Sequence, residues 1–218
     1  MRINVYVDGE SHFIRTEKAI QQKFDQTTRL DDMVSADEAS FAGYRYPDDR
    51  RPFIRSDRRL HFCWDIAHAA VCIPPSQRIQ SAVYFTVFNG DEEGFHNAKV
   101  SLRQKGFEPQ VIRELETLAN QRAHALQTGN VIEKPKGLDI ALAVRVLEDA
   151  YRNIYDLCVL FTSDVDYLPL IEAVQRLGKK AVIAGYKNGL GRHSRLEYVP
   201  DQFIDLTEHV QRKYIRSK

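Results

Sequence analysis

At 218 residues and 43% hydrophobic, the chain is long enough for one sizeable domain and too short for two large ones. Lysine and arginine number 31 against 30 for aspartate and glutamate, a formal charge of +1, which excludes a protein-wide field for nucleic acid or anionic membrane; such a partner must meet a local patch. Three cysteines are an odd number and Cys158 lies in an apolar run, so a disulfide scaffold is not expected; no run approaches membrane-spanning length, and the expectation is a cytoplasmic protein with no membrane partner.

Residues 3–7 form a short β-type run that ends at Asp8-Gly9, which places a carboxylate at a strand's carboxyl end. Gly9 suits a turn in which the backbone comes close to something else. Residues 10–39 are polar with weak helical periodicity through Phe13, Ile14, Ala19, Ile20 and Phe24, and are assigned to helix.

Residues 43–75 depart from the average composition. Between Arg45 and Arg59 stand six arginines against three aspartates, interleaved with Tyr46 and Phe53. Guanidinium groups beside aromatic rings supply charge for phosphates and flat faces for bases, so Arg50, Arg51, Arg55, Arg58 and Arg59 are candidate RNA-binding residues. The same composition also describes a solvated loop with local Arg-Asp pairs. His61, Cys63, His68 and Cys72 follow with the side-chain types that tetrahedral zinc takes. Their spacing matches no common zinc-finger pattern, and Trp64, Ile66, Ala67, Ala70 and Val71 describe an amphipathic segment around core cysteines, so zinc is not expected.

Residues 81–88 read as a strand, 95–105 as a helix stopped by Gly106, and 107–112 as a further strand that runs into helix formers over 110–126. After Lys136-Gly137 the segment LDIALAVRVLEDAY reads as a helix with Asp139 in its first turn and Ile140, Val144, Leu147, Tyr151 and Ile154 on its apolar face.

Residues 157–161 are continuously apolar, as in a central parallel strand covered on both faces. The run stops at Thr162-Ser163, and Asp164 and Asp166 precede a helix with Pro169 in its first turn and Leu168, Ile171, Val174 and Leu177 at helical spacing. A capping role accounts for one of these aspartates and not for both. A strand over 180–184, a Gly-rich loop over 185–191 and a closing strand over 203–206 complete the pattern, and the basic tail 211–218 is expected to fray.

Asp8, Asp139, Asp164 and Asp166 thus fall at strand ends or helix starts that a parallel sheet would bring to one edge, where open α/β sheets bind their ligands. Carboxylates gathered there stay ionised together only around a cation, and hard oxygen ligands favour Mg²⁺ or Mn²⁺. Such an ion polarises a phosphodiester and activates a water.

VYVDG near the start, KGLDIALAV, VLFTSDVDYLPLIEAVQRLGKKAVIAG and a late FIDL together resemble the NYN domain, a branch of the PIN-like nucleases. The resemblance covers the beginning and roughly the second half of the chain. It implies a Rossmann-like three-layer α/β/α fold with a mostly parallel central sheet, here a single domain over 1–218 with an inserted segment at 43–75. It also implies metal-dependent cleavage of RNA, with Asp8, Asp139, Asp164 and Asp166 holding the metal and Lys136 and Ser163 as supporting groups. The PIN-like fold often works as a homodimer, which nothing in this sequence decides.

Three positions depart from the family pattern. Ser11 stands where asparagine is frequent, Val165 where glycine separates the paired aspartates, and Arg145 where a further aspartate is frequent. Ser11 can still hydrogen-bond a ligand or water, whereas Arg145 exchanges a possible ligand for a cation. A catalytically inactive RNA-binding or adaptor protein is therefore the competing expectation. A haloacid-dehalogenase-type phosphatase needs two aspartates after the first strand and finds one, and 185–191 lacks the order of a dinucleotide-binding loop.

Overall fold

The computed structural model describes residues 1–27, 64–88, 90–113, 137–188, 190–191 and 194–214. Its elements are β1 (Ile3–Asp8), α1 (Gly9–Thr27), α2 (Ile66–Ala69), β2 (Ile79–Phe88), α3 (Glu92–Gln104), β3 (Glu108–Arg113), α4 (Leu138–Tyr151), β4 (Leu157–Phe161), α5 (Leu168–Arg176), β5 (Lys180–Gly185), β6 (Gln202–Asp205) and α6 (Thr207–Tyr214). The six strands form one sheet in the order β3-β2-β1-β4-β5-β6, and every pairing is parallel. This is an α/β fold with helices on both faces, as the sequence predicts.

Alternation along β1 explains the layers. Ile3, Val5 and Val7 enter one core with Trp64, Leu102, Phe107, Val159, Phe161, Leu206 and Val210. Tyr6 enters the other, with Leu138, Leu142, Val146, Leu160, Ile171 and Val174 from α4, β4 and α5. Strands covered on both faces need apolar residues at every position, which is why β4 is a continuous apolar run. The strand order reverses direction between β1 and β4, and in open α/β sheets the crevice lies at the carboxyl ends on either side of that reversal.

Several expectations are revised. The buried stripe of α4 is Leu138, Leu142, Val146 and Ala150, with Asp149, whereas Ile140, Val144, Tyr151 and Ile154 are exposed. Both sets repeat every three to four residues, so a helix apolar on most of its circumference presents two candidate faces, and only the sheet chooses between them. Helix α3 begins at Glu92 rather than Phe95, because the Asp91 side chain caps it by accepting the Gly94 N–H at 2.8 Å. Residues 211–214 of the tail expected to fray form the last turn of helix α6 (Thr207–Tyr214). Val210 is fully buried, Leu206 N–H donates to Gly185 O at 2.8 Å, and Gln211 Nε2 donates to Ala19 O of α1 at 2.9 Å. Trp64 and Ile73, at the end of the Arg-rich segment, are buried against the α1 face of the sheet. No described helix is long and apolar enough to cross a membrane.

Candidate active site

Asp8 is the last residue of β1, and the chain enters α1 at Gly9 with no intervening turn. A Cβ on Gly9 would lie 2.4 Å from Tyr84 Cε1 and 2.5 Å from Phe85 O, so only glycine lets the helix start against β2. Asp8 is 3% exposed. Its Oδ1 accepts the Ser11 N–H at 3.1 Å and its Oδ2 accepts the Thr162 hydroxyl at 3.2 Å. These bonds fix the carboxylate between β1 and the end of β4.

The segment after β4 is fixed in turn by polar bonds. Thr162 Oγ1 accepts the Asp164 N–H at 3.1 Å, and the Asp164 side chain accepts the Asp166 N–H at 3.0 Å, capping a single 3-10 turn at Val165–Tyr167. Ser163 N–H donates to Ser11 Oγ at 3.3 Å, while Ser163 Oγ accepts the Tyr186 N–H beyond β5 at 2.9 Å. Two serines and a threonine thus join the carboxyl ends of β1, β4 and β5. Asp139, in the first turn of α4, accepts the Tyr167 hydroxyl at 2.9 Å.

Asp8, Asp139 and Asp164 line one cavity of about 450 Å³ at the β1–β4 reversal point, together with Glu10, Ser11 and Ser163. Asp166 is exposed and does not line it. Burial pushes the Asp8 carboxyl up to about 7; the Ser11 N–H and Thr162 hydroxyl favour the anion, and the charges of Asp139 and Glu10 oppose it. Burial first and the neighbouring acids second thus favour the protonated form of Asp8, and a bound cation would oppose both.

The donors are all hard oxygens, which suits Mg²⁺ or Mn²⁺ rather than zinc. Among the described residues, no three His, Cys, Asp or Glu side chains are gathered closely enough to hold an ion by themselves. Mg²⁺ commonly keeps several waters and uses one or two carboxylates plus substrate phosphate, so an open set of oxygens such as this would have to hold it in hydrated form. The residues thus fit a hydrated divalent ion and do not form a closed cage.

The NYN domain family model matches residues 2–207 of the chain. The chain belongs to the NYN domain family. NYN domains are part of the PIN-like nuclease superfamily, so this is a nuclease-type fold. Among solved structures, a protein of unknown function from Vibrio parahaemolyticus aligns with a TM-score of 0.49 at 15% identity, over 94% of this chain and 92% of that one. No curated protein matches the chain.

The position that most weakened the expectation of a metal site in this NYN domain is Arg145. Its Nε donates to Asp149 Oδ2 at 2.9 Å, and its two terminal nitrogens donate to Glu108 at 2.8 and 3.1 Å. Asp149 is buried and also accepts the Tyr6 hydroxyl at 2.8 Å. Arg145 therefore belongs to a polar network that reaches the first residue of β3, and it puts no cation into the cavity.

Arg50, Arg51, Arg55, Arg58, Arg59, Lys136, His61 and Cys63 lie outside the described residues. His68 is committed to a capping box with Asp65, its Nδ1 lying 2.6 Å from Asp65 Oδ1. Cys72 is a free thiol pushed up to about 12 by burial. Thr162, Tyr167, Arg15 and Lys18 are site residues that the sequence alone does not single out. Thr162 and Tyr167 sit inside the motif already singled out; Arg15 and Lys18 follow Ser11 at i+4 and i+7 on α1, the spacing that puts them on its cavity side.

Proposed function

We propose that this NYN domain is a metal-dependent ribonuclease that hydrolyses RNA phosphodiester bonds at the cavity lined by Asp8, Asp139 and Asp164. The supporting observation is that three carboxylates carried by β1, α4 and the segment after β4 line one cavity at the carboxyl edge of the sheet, with the buried Asp8 ionised only at a cost. Asp8, Asp139 and Asp164 would hold a Mg²⁺ or Mn²⁺ ion directly or through water. When bound, such an ion supplies charge for the developing phosphorane and acidifies a nucleophilic water.

The chain's own groups do the orienting. The Ser11 N–H and Thr162 hydroxyl occupy one lone pair on each oxygen of Asp8 and aim the others toward the cavity. Tyr167 holds Asp139 in the same way, and the Asp166 N–H holds Asp164 Oδ1. Fixed ligands lose little freedom when substrate arrives, which is how a site of this kind contributes to rate. Asp166 serves Asp164 through its backbone and lies outside the proposed ligand set.

The test is cleavage of end-labelled RNA by purified protein in Mg²⁺, Mn²⁺ or EDTA. Cleavage with either metal and none in EDTA is expected. Folded protein that binds RNA and cleaves it under no condition would replace this reading with that of an RNA-binding adaptor.

A further inference from the structure

The cavity is chemically two-sided. Its acids come from β1, α4 and the segment after β4, with Glu10 at the start of α1, whereas the rest of the wall made by α1 carries Ser11, Ile14, Arg15 and Lys18. These four positions share one face of the helix, since His12, Thr16 and Ala19 between them are buried on the other. Arg15 is half-buried and Lys18 is exposed.

Arg2, Arg113, Arg145, Arg152 and Arg195 each hold a carboxylate. Among the described residues Arg15 and Lys18 hold none, although they line a cavity that contains four acidic side chains. Two cations with no carboxylate partner among the described residues, one turn apart and about 5–6 Å at their Cβ atoms, form a positive wall beside the acidic floor. A phosphodiester attacked at that floor must continue somewhere, and its neighbouring phosphates need positive charge.

We propose that Arg15 and Lys18 form a phosphate track along α1 that seats an unpaired RNA strand with its scissile phosphate at the carboxylates. This rests on the ribonuclease reading of the cavity and adds a substrate class to it. The floor residue Asp8 is 3% exposed and the cavity measures about 450 Å³, the size of a small-molecule pocket. One flexible strand can bend into that space, and a base-paired helix cannot bring its backbone to the floor. Ile14 and Val165, 39% and 46% exposed, add apolar surface on which a ribose or base can rest.

The test measures binding of a fluorescent oligouridylate to the full chain in EDTA, across a salt series, so that the readout does not depend on catalysis. Arg15→Gln/Lys18→Gln is compared with wild type and with Arg103→Gln, an exposed residue of α3 outside the cavity. Each phosphate contact on a single strand contributes about 0.7 to the slope of log K against log salt, so the double variant is expected to lose about 1.4. At low salt it is expected to bind at least tenfold more weakly, and Arg103→Gln to match wild type.

An unchanged slope in a double variant with wild-type circular dichroism would overturn the track, while metal-dependent cleavage by wild type would leave the ribonuclease reading intact. Equal competition by duplex RNA would overturn the single-strand assignment. Wild-type protein that neither binds nor cleaves RNA would overturn both.

Discussion

Replacing Asp8 with asparagine should stabilise the metal-free protein while removing its activity, and the gain should grow with pH. The Asp8 carboxyl stands at about 7 in the fold against an ordinary 3.8, because burial and the charges of Asp139 and Glu10 penalise the anion. A folded value above the unfolded one means that folding takes up a proton between pH 3.8 and about 7, so this group's contribution declines as pH rises through that window. Each pH unit corresponds to about 1.4 kcal/mol, so ionised Asp8 costs the fold about 4 kcal/mol above pH 7. The substituted asparagine would still accept the Ser11 N–H, and the Thr162 hydroxyl can turn to accept from its amide. Denaturant unfolding of both proteins in EDTA should show Asp8→Asn gaining about 3 kcal/mol over wild type between pH 5 and pH 8. His12, buried and pushed down to about 3, makes both proteins less stable as pH falls below its ordinary 6.5, and it cancels in the difference. A difference independent of pH, or an asparagine variant less stable at pH 8, would refute the electrostatic reading of the site.

Other outcomes follow from the same geometry. Mg²⁺ or Mn²⁺ should raise the melting temperature more at pH 8 than at pH 6, since at the lower pH the ion must displace a proton from Asp8; differential scanning fluorimetry would show this, and the effect should vanish in Asp8→Asn. Gly9→Ala should cost about 1–3 kcal/mol in denaturant titration, because its methyl group meets the Phe85 carbonyl and the Tyr84 ring. Arg145→Ala should destabilise by about 1–3 kcal/mol by leaving the buried Asp149 short of a donor, yet the folded variant should retain wild-type kcat. A large loss of kcat at unchanged stability would place Arg145 in the reaction after all.

The sequence is most legible where one physical requirement dominates. β1, β2, β4 and β5 are buried on both faces, so their apolar runs stand out, and the aspartates at the end of β1 and after β4 are marked by position alone. Asp139 is legible as an acid in a first helical turn, although its bond to Tyr167 requires α4 and α5 to meet over the same sheet face. α6 was illegible because its side chains are mostly polar and its main apolar anchor, Val210, is buried only through tertiary packing in the core it shares with Ala19 of α1. The two apolar faces of α4 show the complementary limit, since spacing identifies stripes and the tertiary structure decides which is buried. Arg145 invited the opposite error: a cation at a ligand position in a motif looks disabling until its partners Asp149 and Glu108 are seen.

The most direct test of a metal-dependent ribonuclease is the single-turnover cleavage rate of an unpaired RNA in Mg²⁺ for wild type and for Asp8→Asn, Asp139→Asn and Asp164→Asn, with EDTA as the blank. Cleavage by wild type and a loss of at least about a hundredfold in each folded variant are expected, because in the proposed mechanism each carboxylate would help hold the ion directly or through water. Undiminished cleavage by folded Asp8→Asn or Asp164→Asn would contradict it, since activity would then reside somewhere other than this cavity.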